Sequence, residues 1–90
     1  MKEYTATGLI SGGPCTLHYV KVITDGTNLG KAILQNGLTA TGEVVDETSV
    51  VGANHYGGGN INPPHGVRCD TGLYLTLSGA GAESVIIKSS

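Results

Sequence analysis

Glycine-containing turns divide this 90-residue chain into short segments rich in valine, isoleucine and threonine. The clearest turn signals are Ser11-Gly12-Gly13-Pro14, Asp25-Gly26 and Asn36-Gly37. Asn36-Gly37 predicts a type I′ hairpin, because both central positions of that turn need positive φ. β-branched segments between regularly spaced turns are typical of sandwiches and barrels. The sequence therefore predicts one all-β domain over residues 1–90, a small antiparallel β-sandwich or jelly-roll-like barrel of six to eight short strands.

Seven segments have the composition of strands, and no segment has the length and residue types of a useful helix. Only 13% of the residues are charged, against the quarter usual in globular domains, which argues against a coiled coil or a disordered tail. The predicted strands cover residues 4–10, 16–24, 31–35, 43–51, 67–69, 73–78 and 84–88.

Two of these segments predict how the strands are buried. Leu73, Leu75 and Leu77 alternate with polar residues, which is the pattern of an antiparallel strand with one buried face. Residues 16–24 are apolar on both sides, with Leu17, Tyr19 and Ile23 on one and Val20 and Val22 on the other. We expect such a strand to lie centrally or against a partner chain, and it therefore predicts self-association, as a homotrimer.

Charge and hydropathy exclude two classes of partner. The net charge is −2, and the five basic residues are scattered along the chain, so the basic stripe of a nucleic-acid-binding protein is missing. No apolar run reaches the length of a membrane helix. The first residues have no apolar signal core, which favours synthesis and folding in the cytoplasm.

The two cysteines, Cys15 and Cys69, stand 54 positions apart. A reducing compartment favours two apolar thiols in the core. A disulfide remains the alternative, and it would stabilise the fold by closing a long loop.

Metal binding and catalysis find weak support. Cys15, His18 and Cys69 offer a permissible start to a zinc site, but a fourth ligand would have to come from a position without a recognised spacing, namely His55, His65 or Asp70. The serines lack a nucleophile elbow, and the glycine pairs lack phosphate-loop motifs. Glu43 and Glu47 could share a face as paired carboxylates, but an exposed acidic edge that blocks edge-to-edge pairing of sheets is the simpler interpretation. The sequence therefore predicts no enzyme, no cofactor and no metal.

Residues 53–65 form the longest predicted connection, a mixture of glycine, proline and polar side chains. A loop of this length in a small domain suggests a contact role, although a plain exposed connection is the alternative. The candidate partner-contact residues are Asn54, His55, Tyr56, Asn60, Asn62 and His65. The N-terminal residues 2–7 are a second candidate for contacts.

The stretch GVRCDTGLYLTLSG at residues 66–79, followed by Val85-Ile86-Ile87, resembles the ending of small virion proteins of tailed bacteriophages. The opening, with a short first strand and a long threonine- and valine-rich second strand, is loosely similar. The resemblance implies a small β-sandwich, usually oligomeric, on a phage particle as a head decoration protein or a fibre component.

From the resemblance we expect a capsid decoration (cement) protein, made in the host cytoplasm and located on the capsid surface of the virion. Its partners would be the major capsid protein and two further copies of itself. The alternative is a receptor- or glycan-binding module of a fibre or spike, and a metal-binding module or enzyme ranks below both. The absence of a stalk sequence and of tryptophan favours the decoration role.

Overall fold

The computed structural model describes residues 2–50, 56–60 and 66–90. These residues form nine β-strands and no helix. The strands are β1 (Lys2–Tyr4), β2 (Gly8–Ser11), β3 (Cys15–Thr24), β4 (Gly30–Asn36), β5 (Glu43–Val50), β6 (Tyr56–Asn60), β7 (Val67–Cys69), β8 (Leu73–Ser78) and β9 (Ala82–Ser89). The described part of the chain thus holds no helix able to cross a membrane.

The strands make two antiparallel sheets that pack face to face. Sheet A has the order β1-β9-β3-β6, with β7 pairing the beginning of β3, and sheet B has the order β2-β8-β4-β5. The predicted all-β sandwich is therefore confirmed. The number of strands exceeds the expected six to eight, and two segments explain the excess.

The first of these is residues 4–10, which the sequence predicts as one strand. The chain bends at residues 5–7, so that β1 pairs β9 in sheet A and β2 pairs β8 in sheet B. The Thr7 hydroxyl holds this corner, because it accepts a hydrogen bond from the Leu77 amide (2.9 Å) and donates to the Leu77 carbonyl (3.2 Å). A side chain thereby takes the place of one backbone pair in the ladder.

The second is β6, which lies inside the segment that the sequence predicts as an irregular loop. Its residues pair with β3 from Tyr19 to Ile23. Three consecutive glycines fill the middle of β6. Glycine weakens a strand without preventing extended backbone, and β3 offers a ready ladder of partners. The strand lies at the edge of sheet A, where such a weak strand is tolerated.

The core is aliphatic and receives side chains from both sheets. Its largest fully buried members include Leu17, Val20, Val22 and Val85 from sheet A, and Leu34, Leu73 and Leu75 from sheet B. Leu77 is partly buried against this cluster, so the predicted alternation along β8 is confirmed.

β3 departs from the expected alternation. Its pairing with β9 shifts register between Leu17 and Tyr19, so that one extra residue, His18, bulges out of the ladder. Across a bulge the inward side changes from odd to even positions. Leu17, Val20 and Val22 consequently all face the core, and the expectation that Leu17 shares a face with Tyr19 and Ile23 is wrong.

The connection after β4 also differs from the prediction. Positive φ is confined, within the described residues, to Gly26, Gly66 and Gly79, so Asn36-Gly37 does not form a type I′ turn. β4 and β5 are joined by a six-residue loop, residues 37–42. Asn36 instead accepts hydrogen bonds at its side-chain oxygen from the amides of Thr71 (3.0 Å) and Gly72 (3.4 Å). The asparagine thus secures the turn between β7 and β8.

Candidate contact surface

The predicted contact loop is placed only in part by the structure. Asn54, His55, Asn62 and His65 lie outside the described residues. Tyr56 and Asn60 are the first and last residues of β6, opposite Ile23 and Tyr19 respectively. The contact role of these six residues stays a prediction, but residues 56–60 are strand and not irregular loop.

The second predicted contact region, residues 2–7, lies at an edge of sheet A. Lys2 and Tyr4 line a shallow cavity of about 240 Å³ together with Ile87, Lys88 and Ser89 of β9. The Lys2 ammonium lies 5.7 Å from the centre of the Tyr4 ring, within the range of a cation–π interaction. This edge therefore offers a basic, partly aromatic surface.

The outer face of sheet B carries the most exposed apolar residues that belong to strands. Leu9 stands opposite Tyr74, Tyr74 opposite Gln35, and Gln35 opposite Val44, which makes a line across all four strands. Leu9 is 49% exposed and Val44 is 51% exposed, while Tyr74 is half-buried. We call Leu9, Tyr74 and Val44 the apolar row; at the usual spacing between strands it is about 14 Å long.

Gln35 fills the gap in this row, yet it is only 9% exposed. Its Nε2 donates hydrogen bonds to the carbonyls of Ala40 (2.7 Å) and Gly42 (2.9 Å). Both side-chain donors of the amide are thereby satisfied, which a buried polar group requires. The two bonds hold residues 37–42 over the end of sheet B, with Leu38 of that loop 50% exposed.

Lys31 and Glu47, on the same outer face of sheet B as the apolar row, form an ion pair. The Lys31 ammonium lies 2.7 Å from a carboxylate oxygen of Glu47 on the neighbouring strand. Both side chains are at least one-third exposed, so the pair contributes about 1 kcal/mol or less. The two charges neutralise each other, so the surface beside the apolar row gains little net charge from this pair.

β5, which carries Glu43 and Glu47, is an edge strand of sheet B, as the acidic-edge interpretation expects. The pairing of β4 with β5 shifts register between Leu34 and Gln35. The shift places Glu43 and Glu47 on opposite faces of the strand, because Glu43 stands opposite Asn36 and Glu47 opposite Ile33. Val44 takes the outward place opposite Gln35 that an unbroken register would give to Val45.

The described residues considered for zinc do not gather at one site, although Cys15 and Cys69 are neighbours; His55 and His65 lie outside the described residues. Cys15 and Cys69 face the core as free thiols, whereas the His18 ring lies at the bulge and its Nε2 is 3.0 Å from the Ser90 hydroxyl. Asp70 is exposed, and its carboxylate lies 3.5 Å from the Arg68 guanidinium. Over the ranges 2–50, 56–60 and 66–90, no three histidine, cysteine or acidic side chains gather as metal ligands would.

Sequence reasoning missed the apolar row. Leu9, Val44 and Tyr74 come from three strands and share no spacing along the chain, so only the register of the sheet brings them together. The one available signal was the alternation in β8, which places Tyr74 opposite to the buried leucines.

Comparison of the chain with protein-family models, with curated protein sequences and with solved structures finds no match.

Proposed function

We propose that this protein is a capsid decoration protein of a tailed bacteriophage, which binds the outside of the assembled head and bridges neighbouring copies of the major capsid protein. In this role it stabilises the shell and turns over no substrate. The resemblance of residues 66–88 to small phage virion proteins supports the proposal. The structural observation that carries it is the apolar row on the outer face of sheet B.

The row suits a contact that forms on an assembled shell. Apolar surface removed from water contributes roughly 25 cal/mol per Å², and Leu9 and Val44 each expose about half of their surface. A stable interface needs about 800 Å² from each partner. Three side chains are therefore the centre of a contact and not a complete one, so a single copy binds weakly.

Weak single contacts favour an oligomer. We propose a homotrimer in which the outer face of sheet A supplies the subunit contacts and sheet B faces the shell. The half-buried Tyr19 and Ile23 of β3, with Ile86 of β9, form the apolar part of that sheet A face. Once one subunit is bound, the other two act at a high effective concentration, and the affinity rises without any new kind of contact.

Stabilisation of the shell then follows from mass action, because a ligand that binds only the assembled state shifts the equilibrium toward it. The protein is made in the host cytoplasm in this scheme and ends on the capsid surface. It needs no cofactor, nucleic acid or membrane for the contact.

The experiment mixes the purified protein with phage heads that lack it, then measures co-sedimentation and the temperature at which the genome is released. We expect the protein to sediment with the heads and to raise the release temperature. Binding to host cells or their polysaccharide, with no binding to heads, would replace the decoration role with the fibre role.

A pair of variants tests the surface. Val44→Asp places a charge in the apolar row, and we expect at least about a tenfold loss of affinity for heads. Ser49→Asp is the matched control, since Ser49 is exposed on the same strand and the same face, opposite Lys31. Equal binding by both variants would show that the shell contact lies elsewhere. Analytical ultracentrifugation of the free protein tests the trimer separately, and a persistent monomer that still binds heads would remove only the trimer from the proposal.

A further inference from the structure

The two cysteines meet inside the sandwich. Cys15 on β3 stands directly opposite Cys69 on β7. Cys15 is 4% exposed and Cys69 is fully buried, and both belong to the core cluster with Leu17 and Leu73. Neither is bridged in the structure. They stand 54 positions apart in the sequence, so their meeting is a result of the fold.

The backbone hydrogen bonds beside Cys15 indicate how far apart the Cα atoms of Cys15 and Cys69 lie. Thr16 exchanges both of its backbone hydrogen bonds with Ser90, at 2.8 and 3.0 Å. The amide and carbonyl of Cys15 therefore point the other way, toward β7, because these groups alternate along an antiparallel strand. Cys15 and Cys69 form a hydrogen-bonded pair, for which the Cα atoms lie about 5.5 Å apart. Disulfides span Cα separations of about 4.4–6.8 Å and need Cβ atoms about 3.5–4.5 Å apart. A hydrogen-bonded pair holds its Cβ atoms at the wider end of about 4.5–5.5 Å, so the bond forms with a small shift of the short strand β7.

Cys15 is close enough to Cys69 to affect the ionisation of its thiol. Burial raises the pKa of Cys69 to about 11, and the adjacent Cys15, both as a charge and as a hydrogen-bond partner, adds to the rise. At pH 7 only about one Cys69 in ten thousand is then a thiolate. The Cys69 thiol therefore stays protonated and slow to react while the sandwich is closed.

The short strand β7 offers a route to reaction. It has three residues, and among residues 2–50, 56–60 and 66–90 it pairs only with the beginning of β3. A segment held by so few bonds opens locally at much lower cost than the whole domain. Opening exposes Cys69 to a small oxidant, and closing returns it to its position opposite Cys15.

We propose that Cys15 and Cys69 are a reversible disulfide site, oxidised by a low-molecular-weight disulfide such as glutathione disulfide, and that the bond fastens β7 to β3. One cysteine, as its thiolate, attacks the glutathione disulfide and forms a mixed disulfide, releasing one glutathione. The second cysteine then attacks the protein sulfur of the mixed disulfide and releases the other glutathione. Two protein thiols are oxidised, one disulfide is reduced, and the two cysteine protons end on the two glutathione thiols.

This inference does not depend on the proposed function. It predicts a protein that folds reduced and becomes more resistant to unfolding once it meets an oxidising medium. The bond would close a long loop in the unfolded chain, which is the case in which a crosslink removes the most unfolded-state freedom.

The first experiment refolds the full chain from denaturant in a glutathione redox buffer, so that burial cannot prevent the reaction. The products are quenched in acid, denatured and labelled with a maleimide. We expect no reactive thiols, a monomer on a non-reducing gel, and a mass about 2 Da below that of the reduced chain, all reversed by dithiothreitol. Two reactive thiols, or a bond between chains, would overturn the proposal.

The second experiment compares melting temperatures of the oxidised and reduced protein. We expect the oxidised form to melt roughly 10–20 °C higher, from the loop that the bond closes and the small size of the domain. Cys69→Ala treated with the same buffer is the control, and its melting temperature should not rise. An equal or lower melting temperature for the oxidised chain would show that the bond strains the sheet and is not a stabilising site.

The third measurement is the rate at which the native protein is oxidised. The rate should rise about tenfold for each pH unit as long as the attacking cysteine is mostly protonated, because the thiolate is the attacking species. The same protein in mild urea should react faster at fixed pH, since opening of β7 becomes more frequent. A rate independent of both pH and urea would contradict this route.

Discussion

β3 and β8 are inner strands of the two sheets, and they bury their side chains in different patterns. β8 alternates without interruption: Leu73 and Leu75 are fully buried, whereas Tyr74 between them is half-buried on the outside. β3 begins with Cys15 and Leu17 inward and then, after an extra residue, continues inward at Val20 and Val22. The one extra residue, His18, therefore changes which positions of β3 face the core.

This difference shows that the partners of a strand determine which of its side chains face the core. β3 pairs three other strands along its length, and its ladder with β9 can lose one step at His18 without losing the core contacts on either side. β8 pairs only β2 and β4, and its register with β4 runs through five consecutive pairs.

Deletion of Tyr74 should abolish the folded state. Removing one residue from a regular strand moves every following side chain to the opposite face, so Leu75 and Leu77 would leave the core. We expect no cooperative thermal transition and a loss of chemical-shift dispersion in an NMR spectrum. A folded variant would show that β8 can form a bulge as β3 does.

Leu75→Ala should lower the free energy of unfolding by about 2–4 kcal/mol, because the lost volume lies between two sheets that can collapse only in part. Urea denaturation measures the change. A loss below about 1 kcal/mol would show that the β8 side of the core adjusts easily, and the contrast with β3 would weaken.

Leu17→Ala and Tyr19→Ala should differ by about 2 kcal/mol, with Leu17 the more costly. Leu17 is fully buried before the bulge, whereas Tyr19 is half-buried on the outer face after it. Truncation of a buried leucine leaves a cavity, and truncation at the surface does not. Equal losses in urea denaturation would mean that the two residues share a face and that the bulge is absent in solution.

Deletion of His18 should have the smallest effect, about 1 kcal/mol or less. The deletion joins Leu17 to Tyr19, whose partners Ser89 and Lys88 are already consecutive on β9. The shortened strand would alternate regularly with Leu17, Val20 and Val22 still inward, and it would lose the contact of His18 with Ser90. An unfolded variant, measured beside the Tyr74 deletion, would show that the bulge is needed for the fold.

The sequence predicted the fold class and most strand positions, because β-branched segments and glycine turns report local backbone preference directly. The sequence did not predict the features that depend on pairing with strands distant in the chain. The bend at residues 5–7 splits a segment whose composition is uniform, and β6 forms from glycines only because β3 offers bonds to them.

The contact surface was predictable to a smaller degree. The clustering of polar residues and glycines along the chain predicts the candidate loop, and such local signals identify only contiguous sites. The apolar row depends on two irregularities that place Leu9 and Val44 outward beside Tyr74, one in the pairing of β2 with β8 and one in that of β4 with β5. Irregularities of this kind are properties of a pair of strands, and neither sequence alone specifies them.

The bend at residues 5–7 has a consequence for how the domain forms. β1 and β2 precede the other described strands in the chain, yet their partners β9 and β8 are the last two of the nine. Neither sheet can complete this edge until β8 and β9 have been synthesised. Because contacts between distant residues slow folding, we expect this domain to fold only once all nine strands are available, in milliseconds to seconds, as a single event in which β1 and β2 dock last onto β9 and β8.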